Sequence, residues 1–161
     1  MKALELRPVR AVDVQILHDW RNHPATREMS GSSDPIEFAV HKVWFESFLA
    51  NPARFMWIGC VGGQPVGSVR LDPDAEQARR FIASIQIDPD QRGKGYGQTI
   101  LNAVCRKARF DLQATGLIAH IRPENLASQR IFALAGFIRQ AGGKSGSLEI
   151  WHLDIVDCPA P

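Results

Sequence analysis

Residues 88–97 read Asp-Pro-Asp-Gln-Arg-Gly-Lys-Gly-Tyr-Gly, between an apolar run that ends at Ile87 and an amphipathic stretch that begins near Tyr96. Gly93, Gly95 and Gly97 let a backbone come close to a bound group. Arg92 and Lys94 add full positive charge. A helix starting just behind them offers unpaired N–H groups and the positive end of its dipole. This is the chemistry of an anion site, a phosphate above all. A P-loop needs a Lys followed by Ser or Thr at its end, and here Lys94 is followed by Gly95. A dinucleotide fingerprint needs a third glycine where Gln98 stands. Neither motif fits.

The other residues that could do chemistry are sparse. His18, His23, His41, His120 and His152 show no HExxH spacing, and no metal is expected. Cys60, Cys105 and Cys158 are odd in number and unpaired in spacing, which fits a reducing compartment. The 161 residues carry 19 basic and 17 acidic side chains, a net charge of +2. That is too near neutral to announce a nucleic-acid partner. No apolar run is long enough to span a bilayer, and the start MKALELRPVR lacks a signal core. The expectation is a cytoplasmic protein without membrane or nucleic-acid partners, one domain over 1–157 and a frayed tail over 158–161.

The elements that must position the glycine loop follow from periodicity. LELRPV alternates and predicts a strand over Leu4–Val9. Asp13 reads as an N-cap for a helix carrying Val14, Leu17 and Trp20, which Asn22-His-Pro24 ends. MSGSSDP reads as a loop. A second helix puts Val40, Val43, Trp44, Phe45 and Phe48 on one broad face and stops at Asn51-Pro52. FMWIGCV, PVGSVRL and RFIASIQI predict an antiparallel meander turning at Gly62-Gly63 and DPDAEQ. A third helix is expected from Tyr96 to Ala114, with Leu101, Val104, Cys105 and Ala108 inward and Gly116 as C-cap. LIAHI is a buried strand that closes a βαβ unit with a parallel pair. Asn125 caps a fourth helix carrying Ile131, Phe132 and Ala135. FIRQ and SLEIWHLDI close the chain as a hairpin over Gly142-Gly143. The fold class is α+β, a mixed, largely antiparallel sheet of six to seven strands with four helices.

QRGKGYG, Gln91 to Gly97, is similar to the Q/R-x-x-G-x-G/A signature of the GNAT acetyltransferase superfamily. The flanking strand, the loop and the long helix are in the matching order. The downstream segment IRPENLASQRIFALAGF resembles that family's second cofactor motif. The resemblance covers most of the chain and implies acetyl-CoA as co-substrate. It implies that backbone N–H groups of Arg92, Gly93, Lys94, Gly95, Tyr96 and Gly97 hold the pyrophosphate. It implies that the backbone of Ile85 and Ile87 pairs with the pantetheine arm and polarises the thioester carbonyl. Asn125 would hold the arm from the other side, as well as capping its helix. Arg130 is either a cofactor contact or solvated surface.

The family commonly places a Tyr as general acid where this chain has Phe132, and Tyr96, its single tyrosine, lies in the loop. A thiolate leaving group, with a thiol pKa of about 8.5, is tolerable without it. Many relatives carry a carboxylate base on the strand before the loop. Here that strand offers only Ser84 and Gln86, with His120 on the next strand, each acting by way of water. The catalytic groups stay open among these. A lysine amine is neutral only about 1 part in 2,500 at pH 7, whereas an α-amine is neutral roughly a tenth of the time. A weak set of bases therefore points to an acceptor amine of low pKa.

In this family the first two helices wall the acceptor. Trp20-Arg21-Asn22 and His41-x-x-Trp44-Phe45 resemble two branches. One acetylates nucleotide-linked amino sugars, as in pseudaminic acid synthesis, and the other the N-termini of ribosomal proteins; the spacing looks closer to the first. Arg21 and Arg27 could pair with a diphosphate, Trp20 or Trp44 stack on a ring, and Asn22 and His41 bond hydroxyls. Core packing is the competing reading for Trp20 and Trp44. The expected function is N-acetyl transfer from acetyl-CoA to a small-molecule primary amine by direct attack on the thioester, with a nucleotide-linked amino sugar as the acceptor. N-terminal peptides, other small amines, or acyl-CoA binding without catalysis are the alternatives. Monomer and homodimer both stay open.

Overall fold

The computed structural model describes residues 3–30 and 32–155. The expected tail at 158–161 and the domain end at 157 lie outside them. The elements run β1 (Leu4–Pro8), α1 (Val14–Asn22), α2 (Pro24–Glu28), α3 (Phe38–Ala50), β2 (Phe55–Val61), β3 (Gln64–Pro73), β4 (Arg80–Ile87), α4 (Tyr96–Phe110), β5 (Gly116–Ile121), α5 (Leu126–Leu134), β6 (Ile138–Ser145) and β7 (Leu148–Asp154). Short 3₁₀ turns precede α1 and α4. One seven-stranded sheet has the order β1-β2-β3-β4-β5-β7-β6, antiparallel except for the β4–β5 pair.

Alternation along the strands sends side chains to two separate cores. On one face Trp57, Val69, Leu71 and Ala83 meet Ile100, Leu101, Val104, Cys105 and Ala108 of α4, together with Phe132 of α5. On the other, Met56, Ile58 and Cys60 meet Leu17 and Trp20 of α1 and Phe45 and Phe48 of α3. The helix on the first face sits very close. A Cβ on Gly59 would lie 2.6 Å from Ile100 Cδ1, and one on Gly67 would lie 2.7 Å from the Gln86 carbonyl oxygen. Gly67→Ala therefore collides with the β4 backbone, which cannot swing aside as a side-chain end can. It should cost about 1–3 kcal/mol, read as a lowered urea midpoint.

Asp13 does not cap α1 with its side chain. It is 4% exposed and takes Arg7 at 2.8 and 2.7 Å and the Arg10 N–H at 2.7 Å. It thus ties β1 to the turn that launches α1. Burial pushes its carboxyl up, but Arg7 and the Arg10 N–H together hold it below the usual 3.8. A carboxyl depressed in the folded state stabilises above its unfolded value and loses that contribution as pH falls through the folded one. Asp13→Ala should cost about 2 kcal/mol at neutral pH, and the difference between the two proteins should shrink below about pH 4. Urea melts at neutral and acid pH check both.

Five local expectations are corrected. Pro24 starts a helix, α2, instead of only ending one, because its fixed φ suits the first helical position. The helix α4 stops at Phe110, not Ala114: Gln113 has φ 50 and the Ala114 N–H turns back to Ala108. Gly116 is no C-cap. It opens β5, where a Cβ would lie 3.1 Å from the Leu153 carbonyl. The last hairpin turns at Gly146-Ser147, with Gly146 at φ 62, while Gly142 sits in a bulge between the Arg139 and Lys144 pairings. Val40 and Val43 are exposed, so the buried stripe of α3 is His41, Phe45 and Phe48. Among the described residues there are four longer helices and the short α2.

Candidate active site

Strands β4 and β5 pair only over Arg80–Ile82 and Gly116–Ile118. Beyond that β4 stays with β3 up to Ile87, and β5 stays with β7 up to Ile121. The sheet therefore splits. The Asp74 N–H donates to Arg80 and the Asp88 N–H to Val66, in an unbroken register. Even-numbered residues of β4 thus exchange backbone bonds with β3, and odd-numbered ones point theirs at the opposite edge. Past Ile82 that edge is the split, so the N–H and C=O of Ile85 and Ile87 face it. The split opens into a cleft of about 610 Å³.

The glycine loop stands at one end of β4. Gly93 and Gly95 have φ 76 and 82, which is left-handed backbone that favours glycine. Gly95 is the N-cap of α4 and gives it no side-chain cap, so the first-turn N–H groups keep their capacity for an anion. Gly97 faces inward: a Cβ there would be 3.3 Å from Ile131 Cδ1. Tyr96 packs against the core. Arg92 Nη2 donates to Thr26 Oγ1 at 2.6 Å and Lys94 Nζ to Gln91 Oε1 at 2.8 Å. On the facing arm, Asn125 Oδ1 accepts the Ser128 N–H at 3.1 Å and Asn125 also lines the cleft. Arg130 is exposed and does not line it.

Three of the expected acceptor residues, Arg21, His41 and Trp44, line the cleft. Trp20 does not. It is 5% exposed within the α1–α3 core, so its ring is packing, not a stacking platform. Asn22 is spent on the fold. Its Nδ2 donates to the Ile36 carbonyl at 2.7 Å and its Oδ1 accepts the Ile36 N–H at 2.9 Å. His18 Nε2 donates to the same carbonyl at 2.7 Å. This latch fixes the end of α1 against the start of α3. Arg27 braces it through Asn22 and Ser33 carbonyls.

Ser84, Gln86 and His120 all line the cleft, and none is a carboxylate. Phe132 lines it too, 3% exposed and edge-on to Phe137 at 4.9 Å, so the helix supplies a ring edge and no proton there. Burial holds the His41 imidazole below its usual 6.5. His18 and Arg21 push the same way, against a backbone hydrogen bond to Val14. His41 is therefore neutral at pH 7, with Nε2 buried and unpartnered.

The sequence reading missed Ser68 and Arg70. They pair across from Gln86 and Ser84 on the same sheet face. Two polar residues two apart in the otherwise apolar PVGSVRL were the signal. It also missed Arg122 and Ser128 on the cofactor-side wall.

A split sheet whose free strand edge opens into a cleft, with a glycine loop and a helix start at the end of that strand, defines an acyltransferase that uses a coenzyme A thioester. Residues 3–138 match the family described as acetyltransferase (GNAT) domain, and the chain belongs to it. It is an acetyl-CoA-dependent N-acetyltransferase. It is 24% identical over 151 residues to aminoglycoside N(6')-acetyltransferase type 1 of Klebsiella pneumoniae, covering 86% of this chain and 75% of that one. Spermidine N-acetyltransferase from Vibrio cholerae, solved with CoA and spermine, superposes with a TM-score of 0.83 at 18% identity, over 95% of this chain and 96% of that. Aminoglycoside acetyltransferase AAC(6')-Ib, solved with coenzyme A, gives 0.79 at 21%, over 94% and 95%.

Proposed function

We propose that this chain acetylates a small primary amine of low pKa, with a nucleotide-linked amino sugar as the acceptor, by direct attack of the neutral amine on the thioester. The observation that carries this is the composition of the cleft. It holds a free backbone edge for the thioester and, among the described residues, no aspartate or glutamate to deprotonate an ammonium. When bound, acetyl-CoA supplies the activated acetyl group and a thiolate leaving group. The residues present fit it. The Arg92–Gly97 backbone would hold the phosphates, Ile85 and Ile87 would pair with the arm, and Asn125 would close it from the α5 side. The Ile87 N–H would stand as oxyanion donor. Neutral His41 can accept a hydrogen bond from the amine, and Ser68, Ser84 and Gln86 can order water beside it. With Phe132 in place of an acid, solvent protonates the thiolate.

Because His41 is already neutral, the pH profile should report the amine and not the protein. The rate at subsaturating acceptor should rise tenfold per pH unit up to the acceptor's own pKa, with no break in the ordinary histidine range near 6.5. The test is thiol release from acetyl-CoA at pH 7 with a nucleotide-linked 4-amino sugar, a peptide α-amine and a lysine side chain. The sugar is expected to lead. A lysine peptide turning over faster than either would sink the low-pKa reading, and the α-amine leading would replace the sugar by an N-terminal acceptor.

A further inference from the structure

The acceptor wall is charged in one sense. Arg21 and Arg70 line it and, among the described residues, no carboxylate does. Arg21 Nη2 donates to the Ser32 carbonyl at 3.2 Å, while Nη1 is buried without a partner. The charged group beside it is another cation, Arg27. Arg70 is only half balanced. Asp72 takes Arg70 Nε at 2.7 Å and Arg54 Nε at 2.6 Å, so one carboxylate serves two guanidiniums and the cluster keeps a net positive charge. The two arginines share one surface. Arg70 lies over the Trp44 ring at 5.4 Å, Trp44 is 5.5 Å from the His41 ring, and the Arg21 charge acts on His41. Across the split, Arg122 Nε is a further buried donor without a partner. A buried guanidinium with no counter-charge is costly until an anion supplies one.

A polycation would meet this wall charge against like charge. A spermidine N-acetyltransferase of the same fold takes such an amine. Resting on the amine-acceptor reading above, we propose that the acceptor amine is carried on an anionic body, a phosphate or a carboxylate, which Arg21 and Arg70 hold on the α1–α3 wall while the amine faces β4. Planar guanidinium donors match both oxyanions. The same charges select twice, by holding an anion and by repelling a polyamine.

The test needs no turnover. Product-like ligands are titrated calorimetrically into the CoA-saturated protein: N-acetylglucosamine, its phosphate ester, its nucleoside-diphosphate conjugate, N-acetylglycine, and spermidine. At least one anionic ligand should bind roughly 10- to 100-fold tighter than the uncharged sugar, the size of a hydrogen bond to a charged group. Which one leads tells phosphate from carboxylate. Arg21→Gln should bring the leading anion to within about 3-fold of the neutral sugar, and Arg21→Lys should recover part of the gap. Equal affinity for charged and uncharged sugar, or tightest binding by spermidine, overturns the proposal. Thiol release measured on the same ligands in amine form separates the two claims. Turnover of spermidine above the anionic amines would leave the transferase standing and remove the anion. Anion-selective binding without any thiol release would do the reverse.

Discussion

Ile87→Pro should lower acetyl transfer about 100- to 1,000-fold, the usual loss when one oxyanion donor is removed, while the protein still folds. The reason is the parity of β4. Ile87 lies opposite Gly67 in a pair that exchanges no backbone bonds, because the flanking Asp88 N–H is the one that donates to Val66. Proline at 87 deletes an N–H that points into the split and takes nothing from the β3 ladder. Gln86→Pro, one residue away, deletes an N–H that β3 uses and should instead unfold the strand by about 3 kcal/mol or more. Steady-state thiol release and thermal melts on the two variants read the contrast. The account expects an inactive but folded Ile87→Pro. Activity within a few-fold of the parent would show that this N–H does not face the reacting carbonyl.

Gly95→Val should weaken acetyl-CoA binding about 100-fold, because a β-branched residue at positive φ is a genuine outlier and the loop must leave its conformation. Gly63→Val is the matched control. Gly63 has φ 83 and Gly95 φ 82, and a Cβ at either meets nothing within 4 Å. Both variants should lose similar stability, about 1–2 kcal/mol. Only Gly95→Val should lose the cofactor, because Gly63 turns between β2 and β3 and Gly95 caps α4. Equilibrium titration with acetyl-CoA, beside urea melts, checks this. Equal cofactor affinity in the two variants would mean that the loop binds through Arg92 and Lys94 side chains and not through its backbone.

The parts of this fold that were legible in the sequence are those where one periodicity dominates. The meander β2–β4 alternates cleanly, and α4 carries a 3.6-residue stripe from Ile100 to Ala108 behind an unmistakable loop. What was not legible depended on partners far away in the chain. Asp13 has the type and place of an N-cap, yet Arg7 and the Arg10 N–H outcompete the helix for it. Trp20 looks equally suited to a wall or a core, and only the approach of Phe45 and Met56 decides. Asn22 has the chemistry to bond hydroxyls, but the Ile36 backbone claims both ends of its amide. Ser68 and Arg70 became part of the site only because β3 lies in register with Gln86 and Ser84. The same long-range pairing, not any motif, puts the open edge of β4 and the arginines of the acceptor wall around one cleft, with the uncapped loop following directly on the end of β4.

The central claim is direct transfer from acetyl-CoA to an amine held in that cleft. Mass spectrometry on a single-turnover mixture of protein, acetyl-CoA and a nucleotide-linked amino sugar tests it most directly. The account predicts acetylated amine and free CoA in equal amounts, and unmodified protein both with and without the acceptor. An acetyl group found on the protein in the absence of acceptor, chased onto the amine when it is added, would contradict direct attack and place a nucleophile of the chain on the reaction path.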